Sequence, residues 1–331
     1  MSNTNQISGD SGRAIVFVHG RGFTPPANEL LSLLSRSVEN GVRQDVPDDL
    51  PTWESTTRYL AYYGDLSNGF LRASGDDYDE ALDVNDMQNA LNELIAIDRK
   101  KGFGVKHYDR LPGKSAAREL AVSVFAPLIE SIGLGKKVVA GRHKDLGEYW
   151  RVGGGYREAT LERVRSVIAD ALANDDRVTL VSHGTGSIIA YDALWQLSHD
   201  PAYVDACKGL KLDLWITLGA PLGDRMVQKQ LLGARQSGRE RYPTNVLAWH
   251  NISAEDDYMS HDNTVADDFK AMLSQRQISS IRDYRVYNMA IRYGKSNPHN
   301  ALGYLIHPRV TKIFADWLRL ADGRSLPKSS A

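Results

Sequence analysis

Histidine and carboxylate side chains stand directly after four stretches that predict buried strands. His19 and His183 each follow one such apolar stretch. The acidic pair Asp256 and Asp257 follows a third, and His299 follows the last of them. In an open parallel sheet, ligands bind beyond the carboxyl ends of the strands. Because imidazole and carboxylate groups transfer protons in catalysis, these positions predict a reactive site at one edge of a sheet.

The segment Ser182-His183-Gly184-Thr185-Gly186 passes from a predicted strand directly into a helical pattern. A turn this tight needs small residues on either side of its apex, because the two backbones nearly touch. Ser182 and Gly186 supply those small residues. The spacing is that of the nucleophile elbow, a strand-to-helix turn in which the apex residue is a serine. Here the apex is Gly184.

On these residues the chain resembles the α/β-hydrolase superfamily, in its lipase and esterase branch. The resemblance covers about residues 13–64 and 156–321 and is most specific at 178–194. It implies hydrolysis of a carboxylic ester, lactone or related acyl substrate through an acyl-enzyme. Since glycine has no side chain, that covalent step cannot occur at position 184, so we expect this chain to bind substrate and to turn over very little.

The resemblance also implies which groups would stabilise the developing oxyanion. The loop His19-Gly20-Arg21-Gly22 is similar to the His-Gly loop of the family. The backbone N–H groups of Arg21 and Thr185 would then form the oxyanion hole. Gly20, Gly22 and His183 would line the substrate site, and His183 would also pack beneath the turn.

The resemblance further implies a histidine base and an acid that orients it, in the order nucleophile, acid, histidine. His299 has the expected place ahead of the last helix; His261 and His307 are its rivals. Asp257 is preferred as the acid, because related sequences continue with a hydrophobic residue, but Asp256 beside it stays open as an alternative.

Three explanations of the glycine at the apex stay open. The chain is an engineered knock-out of a serine enzyme, or it is a natural pseudo-hydrolase that serves as a ligand-binding receptor. In the third, a neighbouring hydroxyl of Ser182 or Thr185 replaces the missing one.

The elements that must position these residues alternate along the chain. Short apolar runs predict strands, and periodic patterns between them predict helices, which together indicate an α/β protein with a doubly wound, mostly parallel sheet. We expect a hydrolase core at 13–64 and 151–321, a helical cap insertion at 65–150, and flexible termini at 1–12 and 323–331. The predicted strands lie at 14–18, 59–63, 178–181, 212–218, 246–249 and 286–291.

Composition excludes several classes of protein. The chain has 331 residues, of which 42% are hydrophobic and 24% charged, as in a globular protein. Its 40 basic and 41 acidic side chains leave a formal charge of −1, which does not favour a nucleic-acid partner. The single Cys207 suits a reducing compartment, and the polar residues 1–12 do not resemble a secretory signal, so a cytoplasmic location is expected.

The expected ligand is a small hydrophobic acyl compound. No stretch is apolar enough to predict a membrane span, and neither a metal site nor a cofactor site is predicted. The oligomeric state is left open.

Overall fold

The chain folds around a seven-stranded sheet in which every neighbouring pair but one is parallel. The computed structural model describes residues 5–113, 144–151, 153–260 and 264–321. Along the sheet the strands follow the order β1-β3-β2-β4-β5-β6-β7, and only β1 is antiparallel to its neighbour. The predicted α/β class with a mostly parallel sheet is confirmed. The strands are β1 (Asn5–Ile7), β2 (Arg13–Val18), β3 (Thr57–Ala61), β4 (Arg177–His183), β5 (Leu212–Leu218), β6 (Val246–Ala254) and β7 (Ser280–Val286).

Helices connect the strands and cover the sheet. In chain order they are α1 (Ala27–Asp45), α2 (Leu50–Glu54), α3 (Gly64–Ala73), α4 (Glu80–Ile95), α5 (Val105–Tyr108), α6 (Lys144–Tyr149), α7 (Gly155–Asn174), α8 (Gly186–His199), α9 (Arg225–Gln228), α10 (Val265–Asp268), α11 (Lys270–Ser274), α12 (Ala301–Leu305) and α13 (Pro308–Leu318). A two-stranded hairpin, β8 (Ile291–Arg292) and β9 (Lys295–Ser296), stands apart from the main sheet.

Two hydrophobic cores lie on opposite faces of the sheet. One contains residues of α7 and α8 together with Leu180 and Trp215. The other contains residues of α1, α4, α12 and α13 together with Val181 and Ile216. Successive strand residues point to opposite faces, so a strand covered on both sides must be apolar throughout. This is why the continuous apolar runs at 14–18 and 178–181 are central strands.

The prediction of a strand at 286–291 is wrong. The structure instead has β7 at Ser280–Val286, and residues 287–290 leave the sheet as a loop. Met289 and Ala290 are buried in the second core, so their apolar character serves packing outside the sheet. The observed strand was missed because several of its side chains, Arg282 among them, are exposed.

The segment 1–12, predicted as a flexible terminus, in part forms β1. Asn5–Ile7 pairs with β3, and the N–H groups of Asp10 and Ser11 both donate to the carbonyl oxygen of Ser55. Backbone pairing at a sheet edge needs no apolar pattern, which is why composition did not indicate it.

The described parts of the predicted insertion at 65–150 pack on the core. Met87, Leu91 and Leu94 of α4 join the second core, and Tyr149 of α6 joins the first. Residues 114–143 of this predicted insertion fall outside the described residues, and a separate cap stays a prediction. Within the described ranges, no helix is both long and apolar enough to cross a membrane.

Candidate active site

Gly184 lies at the apex of the turn between β4 and α8. Its φ of +52° is in the left-handed region, where a residue with a side chain has a strained backbone. A Cβ at Gly186 would collide with the carbonyl oxygen of His19, so this position also needs glycine. The N–H of Gly184 donates to the carbonyl oxygen of Leu218 at 2.9 Å and fixes the turn against β5. The close approach of backbones that the sequence predicted is therefore present.

The imidazole of His299 lies directly over this turn. A Cβ built on Gly184 would stand 2.9 Å from Nε2 and 3.1 Å from Cε1 of His299. Nε2 makes no hydrogen bond to any residue that the structure describes, and 26% of the side chain is exposed. A side chain at position 184 would thus project toward the imidazole edge that is open to a ligand.

The other imidazole nitrogen of His299 binds Asp257. Nδ1 lies 2.9 Å from Oδ2 and 3.0 Å from Oδ1 of a carboxylate that is fully buried. Because a carboxylate only accepts hydrogen bonds, Nδ1 carries the hydrogen and the lone pair of the neutral ring is on Nε2. Burial alone would raise the pKa of Asp257, but His299, Tyr304 and the N–H of Met259 together lower it below its usual value.

The structure also separates the rival residues. The carboxylate of Asp256 accepts a hydrogen bond from the hydroxyl of Tyr108 at 3.1 Å, and Asp257 is the one that contacts His299. His307 is the N-cap of α13, where its Nδ1 accepts from the N–H of Arg309. His261 lies outside the described residues.

Tyr304 is a site residue that no sequence pattern selected. Its hydroxyl donates to Oδ2 of Asp257 at 2.5 Å and accepts from the N–H of Ala254 at 2.8 Å. Burial, reinforced by the charge of Asp257, raises the pKa of Tyr304 well above its usual value, so the hydroxyl keeps its proton. Tyr304 therefore binds the same carboxylate oxygen that lies nearest to the histidine.

The loop that carries His299 is held by hydrogen bonds to three of its consecutive carbonyl groups. The amide of Asn288 donates to the carbonyl oxygens of Pro298 and Asn300, at 2.9 and 2.8 Å. Nε2 of His183 donates to the carbonyl oxygen of His299 at 2.7 Å. Burial, followed by the charge of His299, lowers the pKa of His183 to about 3, so its ring is neutral at physiological pH. His183 thus positions the loop that carries His299.

Of the two residues predicted to supply the oxyanion hole, Thr185 is part of the turn and Arg21 lines the cavity beside it. Thr185 is buried at the N-cap of α8, and its N–H has no hydrogen-bond partner among the described residues. Arg21 lines the cavity beside the turn, and its guanidinium contacts the sulfur of Met259 at 3.8 Å. Gly22 has a φ of +86° and turns the loop after β2. A Cβ at Gly20 would stand only 2.8 Å from Nδ1 of His183, so this loop packs closely on the turn.

A cavity of about 230 Å³ opens beside His299 and His183. Gly20 and Arg21 form one side of it, and Asp83 and Arg292, which are paired with each other, form a polar part of the wall. Most of the remaining wall consists of buried apolar side chains: Phe17, Val18, Leu30, Leu34, Met87, Val181, Leu218 and Leu305. The cavity therefore suits an apolar group attached to a polar, reacting centre.

Neither neighbouring hydroxyl takes the place of the missing one. Oγ of Ser182 is fully buried between Oγ of Ser187 and Nε1 of Trp215, each at 2.9 Å. Trp215 belongs to the first core, whereas all the buried apolar side chains of the cavity wall except Val18 belong to the second. Thr185 follows the apex, and only 3% of its surface is exposed.

Among the described residues, no group of three or more His, Cys, Asp or Glu side chains could hold a metal ion.

Comparison of the chain with models of protein families, with curated proteins and with solved structures finds no match.

Proposed function

We propose that this chain is an α/β-hydrolase of the esterase and lipase type in which glycine occupies the nucleophile position. It binds a small hydrophobic ester, lactone or related acyl compound. The proposal depends on one observation above all. The Cβ position of residue 184 lies 2.9 Å from Nε2 of His299, whose Nδ1 is bound to the buried Asp257.

In a form with serine at position 184, these groups have distinct tasks. His299 takes the proton of the serine hydroxyl as the oxygen attacks the substrate carbonyl, and Asp257 keeps the imidazole in the required tautomer. The N–H groups of Thr185 and Arg21 stabilise the oxyanion. The alcohol leaves with the proton from His299, and water then releases the acid by the same route.

The cavity supports a hydrophobic substrate of moderate size. A cavity of about 150 Å³ holds benzene, so 230 Å³ corresponds by proportion to about nine carbon atoms. The apolar wall stabilises such a group by about 0.8 kcal/mol for each buried methylene. A medium-length acyl chain fits these dimensions.

A receptor without catalysis is the second candidate, and the glycine itself favours it. No hydroxyl among Ser182, Thr185 and their described neighbours is placed to replace a serine at 184. Such a protein would use the same cavity to bind an acyl compound and release it unchanged.

Restoring the serine tests the proposal. We expect Gly184→Ser to hydrolyse p-nitrophenyl octanoate at least ~10³-fold faster than the chain as written, and to be labelled by a fluorophosphonate. His299 must yield by a few tenths of an ångström to admit the new Cβ. In this background Asp257→Asn should lower kcat by about 10⁴-fold.

The matched control is Asp256→Asn in the same background, which changes a neighbouring carboxylate that does not contact His299. We expect it to keep nearly full activity. If folded Gly184→Ser neither hydrolyses a panel of esters, thioesters and lactones nor takes up the fluorophosphonate, the enzyme proposal is wrong and the receptor is favoured.

A further inference from the structure

The pair formed by Asp257 and His299 is assembled in the chain as it stands, without help from a side chain at 184. Tyr304 and the N–H of Met259 hold the carboxylate, at 2.5 and 2.9 Å. The carbonyl oxygen of His299 is fixed by His183. His299 is therefore held in place through Asp257 and His183, although no serine hydroxyl stands beside it.

The basic nitrogen of this histidine faces a position from which water could react. Nδ1 is committed to Asp257, so the lone pair of the neutral ring is on Nε2. His299 and Gly20 line the same 230 Å³ cavity, and the N–H of Thr185 points from the start of α8 without a partner among the described residues. His299 therefore lies both in the wall of the cavity and against Gly184, and the N–H of Thr185 belongs to the residue that follows Gly184.

From this geometry we infer that the chain with Gly184 is itself a slow hydrolase, in which His299 activates a water molecule directly and no covalent intermediate forms. The inference rests on the proposed substrate class. It differs from the serine mechanism in its nucleophile and in the number of chemical steps.

The step balances with water as the only co-reactant. Nε2 of His299 removes a proton from water while the water oxygen forms a bond to the acyl carbon. The carbonyl π electrons move to oxygen, where the N–H of Thr185 stabilises the charge. When the tetrahedral species collapses, the bond from carbon to the leaving oxygen breaks, and that oxygen takes the proton from Nε2. Ester and water become carboxylic acid and alcohol.

The missing side chain gives the water its place. A water that donates to Nε2 must stand about 3 Å from it. The Cβ of any other residue at 184 would lie at 2.9 Å from the same nitrogen. Glycine leaves this hydrogen-bonding position open to solvent without any movement of His299.

The experiment uses the full chain as written with p-nitrophenyl octanoate. We expect His299→Ala and Asp257→Asn each to lower the rate by about 10²-fold or more, the usual contribution of a general base. Asp256→Asn and His107→Ala serve as matched controls and should leave the hydrolysis rate unchanged. His107 is an exposed residue of α5. Rapid-mixing traces should be linear without a burst, and the mass of the quenched protein should show no acyl adduct.

Gly184→Ala gives an independent readout, because its methyl group occupies the water position. We expect a rate at least ~10-fold below that of the chain as written, with thermal melting used to confirm that the variant is folded. A rate unaffected by His299→Ala, or an acyl adduct on the protein, would overturn the inference. If Gly184→Ser is active but the rate of the glycine chain does not depend on His299, only this inference fails. If Gly184→Ser is inactive, the proposed function fails.

Discussion

Gly219, which directly follows β5, packs closely against Asp257 and His299. A Cβ at this position would stand 2.6 Å from Oδ2 of Asp257 and 3.0 Å from Nδ1 of His299. The φ of Gly219 is +57°, so a side chain would also strain the backbone. Two separate constraints, one conformational and one from the site, thus require glycine here.

Gly219→Ala separates these two constraints when it is compared with Gly209→Ala. Gly209 has a φ of +79°, but a Cβ there would meet no atom within 4 Å. We expect Gly209→Ala to lower the free energy of unfolding by about 1–2 kcal/mol through backbone strain alone. Gly219→Ala should lose about 2–3 kcal/mol more, because it disrupts the hydrogen bonds of the buried Asp257 carboxylate. Denaturation in urea measures both, and equal losses would show that the site does not depend on this contact.

At the scale of residues, the sequence indicated the reactive residues better than the residues that hold them in place. The family resemblance selected His299 from its place ahead of the last helix, and the structure places it against Asp257 and over Gly184. Tyr304 was missed because it acts 47 residues away from Asp257, through a contact that no local pattern encodes. Asn288 was missed for the same reason, since it holds carbonyl groups on a separate loop.

At the scale of elements, the predicted strands were most accurate where both faces are covered. The run at 212–218 coincides with β5, whereas β6 extends beyond its predicted end at 249 to Ala254. Its added residues are partly polar. Asn251, for example, accepts from Thr217 and donates to Asp283, so a hydrogen-bonded ladder replaces apolar packing. Hydrophobicity alone could not reveal that continuation.

The helix α4 sets the depth of the cavity, because Met87 is both buried and part of its wall. In the Gly184→Ser background we expect Met87→Trp to lower kcat/KM for p-nitrophenyl octanoate at least ~10-fold while activity toward the acetate is kept. Leu82→Trp is the control on the same helix, at a side chain that is 56% exposed. An unchanged preference for chain length after Met87→Trp would mean that the acyl group binds elsewhere.

At the scale of the whole molecule, buried histidines make stability depend on pH. Burial is the main cause that lowers the pKa of His19 to about 4 and that of His183 to about 3. Unfolding restores values near 6.5, so below that pH the unfolded chain binds more protons than the folded one. Stability therefore falls as the pH drops from 6.5, and the loss continues to about pH 4 for His19 and about pH 3 for His183.

His183→Gln tests this dependence while keeping a side-chain donor near the carbonyl oxygen of His299. Between pH 7.5 and pH 5.5, one such histidine costs about 1.4 kcal/mol of unfolding free energy. We expect the variant to lose about that much less stability than the unaltered chain over the same interval, as measured by urea denaturation at both values. His107→Gln, at an exposed position, should leave the difference unchanged. A pH dependence unaffected by His183→Gln would contradict the assignment.

The arrangement of β7 has a consequence for how these molecules behave when they are crowded. This outermost strand carries Arg282, Asp283 and Arg285 as exposed side chains along its length. Charged groups on a terminal strand make it unfavourable for a second copy to extend the ladder. At the opposite end, the part of β1 that the structure describes is three residues long, which is short for such pairing. Both borders of the sheet thus discourage fibrous self-association, and a concentrated solution gains colloidal stability from residues that have no part in the chemistry.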